Sequence, residues 1–196
     1  MKNPNHPKQG SKILVHPIQN VKDIQSIKTY LSDNPRDLLL FTLGINNGIR
    51  TGDLLKLRVS DVKDLKSGDS IQITESKTNK PNVLSINKEV HKTLRHFLAT
   101  QNLTDDDYLF KSRNSDHALT VMAVNRLVKS WCKAINLNGN YGAHTLRKTF
   151  GYIQRTKFGV GFEVLCRRFN HSSPAITMRY LGITDKEVYS ILQNEI

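Results

Sequence analysis

Residues 142–151 read GAHTLRKTFG, and this run combines a helical pattern with two polar side chains on one face. Leu146 and Phe150 recur at helical spacing, which predicts a helix. His144 and Arg147 stand three positions apart and therefore project from the same side of one turn. Arginine offers a planar fork of donors that fits phosphate oxygens, and histidine can donate a hydrogen bond or move a proton. Taken alone, such a pair is more often an ordinary solvated helix face.

The composition indicates a basic, water-soluble chain of one domain. Its 196 residues include 29 Lys and Arg against 17 Asp and Glu, which gives a net charge of +12. This charge favours a polyanionic partner, with nucleic acid first, although ribosomal and membrane-surface proteins are also often basic. No stretch approaches about 18 uninterrupted apolar residues, and residues 1–10 lack the apolar core of a signal peptide. Cys132 and Cys166 lie inside apolar helical runs, so we expect free thiols and a cytoplasmic location.

Apolar periodicity predicts a mainly α-helical α+β fold. The expected helices begin near Asn20, Pro35, Thr51, Val90, Val121, His144 and Phe162, followed by one containing Tyr180 and one from Thr184. Residues 58–62, 70–74 and 82–86 alternate apolar with polar side chains, which predicts a small antiparallel three-stranded sheet with an exposed basic hairpin. Residues 1–17 lack periodicity and are expected to form a basic, flexible N-terminal arm, with residues 18–196 as the folded domain. The acidic run 105–107 lacks calcium-ligand spacing and is expected to be a solvated loop.

Four further short motifs accompany the pair formed by His144 and Arg147. They are Gly48-Ile49-Arg50, Ser76-Lys77-Thr78, Asn170-His171-Ser172-Ser173 and Thr177-Met178-Arg179-Tyr180. In this order and at these separations, the motifs resemble the catalytic set of the tyrosine recombinases, the phage integrase family. The resemblance covers residues 20 to 190 approximately, and it implies an integrase-type catalytic domain.

The resemblance also implies a role for each matching residue. Tyr180 would be the nucleophile that attacks a DNA phosphate and forms a 3′-phosphotyrosine, and Lys77 would protonate the leaving 5′-hydroxyl. The remaining members, Arg50, Arg147, His144 and His171, would stabilise charge on the phosphate or transfer protons. Such a reaction stores the bond energy in the covalent intermediate, so it needs no ATP. The two arginines, two histidines and the lysine would stabilise the charge without a metal ion, and no cofactor is expected. The implied partners are double-stranded DNA and further copies of the chain, which would assemble as dimers or tetramers on DNA near the nucleoid.

Each of these residues also has a simpler structural interpretation. Tyr180 has the apolar neighbours of a core tyrosine, His171 could cap the next helix, and Lys80 competes with Lys77 for the basic turn. Asn170 stands where the family commonly has Gly, and we expect it to adopt left-handed backbone as Gly would. The family often has a His two residues after the tyrosine, where this chain has Gly182.

Several readings stay open at this point. The chain could be a DNA-binding regulator that kept the fold without strand cleavage, or an enzyme resembling a type IB topoisomerase. Many family members carry a separate N-terminal helical domain; either residues 1–17 substitute for it or the chain is a fragment, and the sequence does not decide between the two. The helix from Thr184 has an amphipathic pattern and could pack on its own domain or on a neighbouring protomer. The DNA target and the direction of recombination are not readable from the sequence.

Overall fold

The computed structural model describes residues 14–113 and 115–183, together with residues 193 and 195. Over these residues the chain is mainly helical with one small antiparallel sheet, which confirms the predicted fold class. The elements in chain order are α1 Val21–Tyr30, α2 Pro35–Asn47, α3 Thr51–Leu54, α4 Val59–Val62, β1 Ser70–Thr74, β2 Pro81–Ser85, α5 Lys88–Thr100, α6 Val121–Ala134, α7 Ala143–Phe158, α8 Phe162–Arg168 and α9 Pro174–Leu181.

Side-chain caps explain where most of the longer helices begin. The side chains of Asn20, Asn87, Thr120 and Ser173 each accept a hydrogen bond from a backbone N–H in the first turn of the helix that follows. Each cap satisfies a backbone donor that the helix itself leaves free. The cap predicted at Asn20 is therefore present.

The core is organised around α2, which packs against α5 and α7. Leu39, Leu40 and Phe41 on α2 are fully buried, and the Phe41 ring meets Trp131 of α6 edge to face at 6.0 Å. Each such large apolar side chain contributes roughly 1.5–3 kcal/mol by leaving water. A second, smaller apolar cluster joins α8 and α9 through Leu165 and Phe169, and it is this cluster that supports the site described below.

The prediction of a strand at residues 58–62 is wrong. Residues 59–62 form the single helical turn α4, and the described sheet contains only β1 and β2, paired antiparallel from Ser70 with Ser85 to Thr74 with Pro81. The backbone N–H of Arg58 donates to the Asp61 carboxylate at 2.7 Å, which closes the turn. Val59 and Val62 are both buried, and their spacing of three residues places them on one face of a helical turn, whereas a strand would place them on opposite faces.

The start of the described chain lies against α7. The Ile18 N–H donates to Thr149 Oγ1 at 2.9 Å, and Thr145 Oγ1 donates to the His16 carbonyl at 2.9 Å. The end of the predicted arm, residues 14–17, is therefore held on the helix that carries His144 and Arg147. Residues 1–13 and most of the predicted C-terminal helix lie outside the described residues, and the division into arm and domain stays a prediction.

Candidate active site

Two of the predicted site residues, Arg50 and Arg147, meet at the carboxylate of Glu75. Arg50 precedes α3 and pairs through Nη1 with Glu75 Oε2, whereas Nη1 of Arg147 lies 3.7 Å from Oε1 of the same carboxylate. Glu75 directly follows β1 and is fully buried. Burial raises the pKa of its carboxyl, but hydrogen bonds from Arg50, Thr78 and Asn82 outweigh that effect and hold the pKa at about 2. The carboxylate is therefore charged at any working pH.

Backbone carbonyls hold Arg147 in place. Its Nη1 donates to the Gly48 carbonyl and its Nη2 to the Phe169 carbonyl, both at 2.7 Å. The guanidinium also stacks 4.6 Å above the Phe169 ring. Only 2% of Arg147 is exposed, and burial lowers its pKa to about 10, so the side chain remains cationic near neutral pH. Nearby, Arg168 donates to the Asn47 carbonyl at 3.1 Å.

His171 lies beside Tyr180, with ring centroids 5.2 Å apart and the rings nearly perpendicular. The preceding Asn170 has φ +51°, which is the left-handed backbone expected of an Asn in place of Gly. A hydrogen bond of 2.9 Å links His171 Nδ1 with Thr177 Oγ1. Burial, and then the charges of Arg147 and Arg50, lower the pKa of His171 to about 4, so the ring is neutral at pH 7. His171 does not cap α9, because Ser173 occupies that position.

Tyr180 lies on α9 with its hydroxyl buried. The hydroxyl makes no hydrogen bond of normal geometry with the described residues, although Arg147 lies close enough to act on it as a donor. Burial raises the pKa of Tyr180 to about 12, although the charges of Arg147 and Arg50 act in the opposite direction. The ring also packs against Phe169, so the tyrosine is part of the small apolar cluster as well as a neighbour of the arginines.

Lys77 and His144 lie on an open cleft that Arg50 shares. This cleft has a volume of about 310 Å³ and is also lined by Lys56 and Val121, whereas Lys80 is not part of its lining. Partial burial, followed by the charges of Arg147 and other neighbouring cations, lowers the pKa of His144. All six predicted residues are thus brought to one region, four of them around Glu75 and Tyr180 and the other two at the adjoining cleft.

Besides Arg168, sequence reasoning missed two charged residues of this region. One is Glu75, whose signal is that it continues the inward-facing positions of β1 after Ile71 and Ile73. The other is Lys148, which is 3% exposed and whose Nζ lies 5.0 Å from the centroid of the Tyr180 ring. Its ammonium has no hydrogen-bond partner among the described residues. Lys148 directly follows Arg147, and nothing in its spacing distinguishes it from a solvated lysine.

Four further expectations concern metal ions, the acidic run, the cysteines and membrane-spanning helices. Within the described ranges, no group of three or more His, Cys, Asp or Glu side chains is placed to hold a metal ion. In the acidic run 105–107, Asp107 pairs with Lys111 at 2.8 Å and lies in a loop. Cys132 and Cys166 are both free and buried, as predicted. None of the described helices is long and apolar enough to cross a membrane.

Several known proteins are similar to this chain in sequence, in fold or in both. The probable integrase/recombinase YoeC of Bacillus subtilis (strain 168) is 39% identical over 175 residues, which cover 88% of this chain and 92% of that protein. A tyrosine recombinase of Pseudothermotoga lettingae is 28% identical over 170 residues, or 87% of this chain, but the match spans only 57% of its own length. The crystal structure of XerH site-specific recombinase bound to palindromic difH substrate superposes with a TM-score of 0.71 at 20% identity, covering 95% of this chain and 55% of that one.

The fold is that of a tyrosine-recombinase catalytic domain. The chain belongs to the phage integrase family, whose characteristic sequence pattern matches residues 18–187. The predicted family and the predicted class, a tyrosine-type site-specific recombinase, are therefore both confirmed.

Proposed function

We propose that this chain cleaves and rejoins double-stranded DNA at specific sites through a covalent 3′-phosphotyrosine at Tyr180. The observation that carries the proposal is the pair of fixed arginines, Arg50 and Arg147, beside a buried tyrosine. Two cations at one position would neutralise the nonbridging oxygens of a phosphate as charge develops there. The net charge of +12 supports DNA as the partner.

In the proposed reaction, the Tyr180 oxygen forms a bond to phosphorus while the bond from phosphorus to the 5′-oxygen breaks. The Tyr180 proton leaves as the new bond forms, and the His171 ring, which is neutral at pH 7 and 5.2 Å from the Tyr180 ring between centroids, would accept it. Lys77 would give a proton to the departing 5′-oxygen, and His144 would donate a hydrogen bond to the phosphate from the cleft. Rejoining reverses these steps, because the phosphotyrosine preserves the energy of the broken bond.

The charge at this site comes from the protein's own side chains, so we propose that the chemistry needs neither metal nor ATP. Adduct formation should continue in EDTA, whereas DNA binding should weaken steeply as salt is added, because lysines and arginines release cations condensed on the DNA and that release is less favourable at higher salt. An absolute requirement for Mg²⁺ in the cleavage step would refute this part of the proposal.

Assembly on DNA as dimers or tetramers, and a cytoplasmic, nucleoid-associated location, are also proposed. The XerH relative was crystallised on its DNA substrate, which supports DNA as the partner of this chain. Gel filtration with and without a duplex carrying two sites measures the assembly directly. A complex of one protein per duplex at saturating protein would contradict it.

Trapping the intermediate tests the central proposal. Nicked duplexes, made from the DNA that flanks the gene, are incubated with protein and resolved on a denaturing gel. We expect a covalent adduct with the wild type and with the control Tyr30→Phe, whose ring is 54% exposed on α1. We expect none with Tyr180→Phe. Binding without any adduct would favour the DNA-binding regulator instead, and relaxation of supercoiled plasmids that lack a target site would favour a type IB topoisomerase.

A further inference from the structure

We propose that Glu75 is a positioning residue that holds Arg50 and Arg147 in the geometry for binding the scissile phosphate and ties that geometry to the turn bearing Lys77. The inference rests on the proposed function of this site. A carboxylate repels a phosphate, and both oxygens of Glu75 already accept hydrogen bonds from the protein, so Glu75 acts through its neighbours.

The two carboxylate oxygens of Glu75 are shared among four side chains. Oε2 pairs with Arg50 and accepts a hydrogen bond from Thr78 Oγ1 at 2.7 Å. Oε1 accepts from Asn82 Nδ2 at 2.9 Å and lies 3.7 Å from Arg147. A buried carboxylate with this many donors has its acceptor sites occupied, so its orientation is fixed.

The backbone of Glu75 forms the base of the turn that presents Lys77. Its N–H donates to the Lys80 carbonyl at 2.9 Å, and its carbonyl accepts from the Asn79 N–H at 2.8 Å. With the Thr78 hydroxyl bond, three hydrogen bonds from one residue define this turn. A displacement of Glu75 therefore moves the Lys77 turn and the arginine pair together.

Charge explains why the carboxylate is needed there. Arg50 and Arg147 approach the same point, and two guanidinium groups repel each other where little water screens them. The single negative charge of Glu75 between them offsets this repulsion before a phosphate is bound. A neutral side chain of the same shape would leave the pair free to separate.

The variant Glu75→Gln tests this because it keeps the size of the side chain and removes its charge. Its control is Glu89→Gln, which removes the partner of the Lys28 ion pair far along the chain from the site. We expect the single-turnover rate of adduct formation on nicked duplex to fall about ten- to a hundredfold in Glu75→Gln, less than for complete loss of a charged donor. DNA affinity should change by less than about threefold, because most phosphate contacts lie elsewhere.

A second substrate separates positioning from general loss of structure. Replacing the scissile phosphate by a methylphosphonate removes the charge that the arginines stabilise, so the ratio of wild-type to Glu75→Gln rates should shrink towards one. In a double-mutant cycle, adding Glu75→Gln to Arg50→Ala should cost less than it costs alone, because the carboxylate acts through that arginine. If Glu75→Gln does not fold, Glu75→Asp, which keeps the charge on a shorter side chain, carries the same comparisons.

The inference would be overturned if the ratio of wild-type to Glu75→Gln rates were the same on the phosphate and the methylphosphonate. It would also be overturned if Glu75→Gln lowered the rate by the same factor with and without Arg50→Ala. If the wild-type protein forms the adduct, an unchanged rate of adduct formation by Glu75→Gln on nicked duplex would also overturn it. Absence of the adduct with wild-type protein is a different result, since it refutes the proposed function and with it the role assigned to Glu75.

Discussion

Tyr180→Phe should stabilise the protein even though it abolishes cleavage. The hydroxyl is buried and makes no hydrogen bond of normal geometry with the described residues, whereas the ring packs against Phe169 and His171. Burying a hydroxyl without a partner costs roughly 1–3 kcal/mol, so its removal should raise the free energy of unfolding by about 1 kcal/mol. For a chain of this length that corresponds to a rise in Tm of about 2–4 °C.

Urea denaturation followed by circular dichroism measures this difference, with Tyr30→Phe as the control. The pKa of Tyr180 is about 12 in the folded chain against 10.0 for the free group, so the unfolded chain loses its proton first as pH rises above 10. Wild-type stability should therefore fall there, and the gap to Tyr180→Phe should widen by up to about 1.4 kcal/mol per pH unit. A variant that is less stable than the wild type would show that the hydroxyl is hydrogen-bonded in solution, and the reasoning from burial would be wrong.

Three further substitutions test the surroundings of the site. Gly48→Ala should lower the free energy of unfolding by about 2–4 kcal/mol in urea, because the new Cβ would lie 2.3 Å from Phe150 at a φ of +60°; the control Gly68→Ala, which meets nothing within 4 Å, should cost only about 1 kcal/mol. Lys148→Met should raise Tm by replacing a buried ammonium that has no hydrogen-bond partner among the described residues, and a lowered Tm would contradict this. Burial lowers the pKa of Lys148, so the unfolded chain binds more protons below pH 10.5 and the wild-type deficit should shrink as pH rises. The folded pKa of His171 is about 4 against 6.5, so stability should fall as pH drops from 6.5 to 4; His171→Gln should remove most of that dependence in denaturation curves, and an unchanged dependence would assign it to other groups.

Most of the helical architecture could be predicted because long helices carry redundant signals. In α6, for example, a Thr120 cap, buried Val124 and Val128 and a run of 14 residues all indicate the same element. The segment 59–62 is too short to carry such redundancy, and its two apolar residues, three positions apart, fit a helical turn better than the predicted strand. Its state depends on the Asp61 cap and on backbone pairing of Arg58 with Tyr108, a contact that spans fifty residues of chain and leaves no local trace.

The candidate site likewise contains some residues that the sequence predicts and others that only the folded structure reveals. Residues that would touch DNA, such as Arg50 and His171, fall in short motifs whose order is visible in the sequence. Glu75 and Lys148 are instead buried, and what distinguishes them is that they pack next to residues on other elements of the fold. An isolated Glu or Lys in a basic chain is usually solvated, so only the packed fold distinguishes these two.

Arg147 and Arg168 each donate to a carbonyl group at the end of α2, and this gives the helix an electrostatic role. Peptide dipoles add along a helix, so the final carbonyls of Asn47 and Gly48 carry the partial negative charge of its C-terminus. Two guanidinium groups placed there are stabilised by the helix itself, in addition to the Glu75 carboxylate. The guanidinium groups of Arg147 and Arg168 are consequently ordered when the chain folds, before any DNA binds. Much of the entropy of fixing them is lost on folding, but Arg147 is only 2% exposed and the Tyr180 hydroxyl is buried, so these two groups must become accessible before they contact a phosphate.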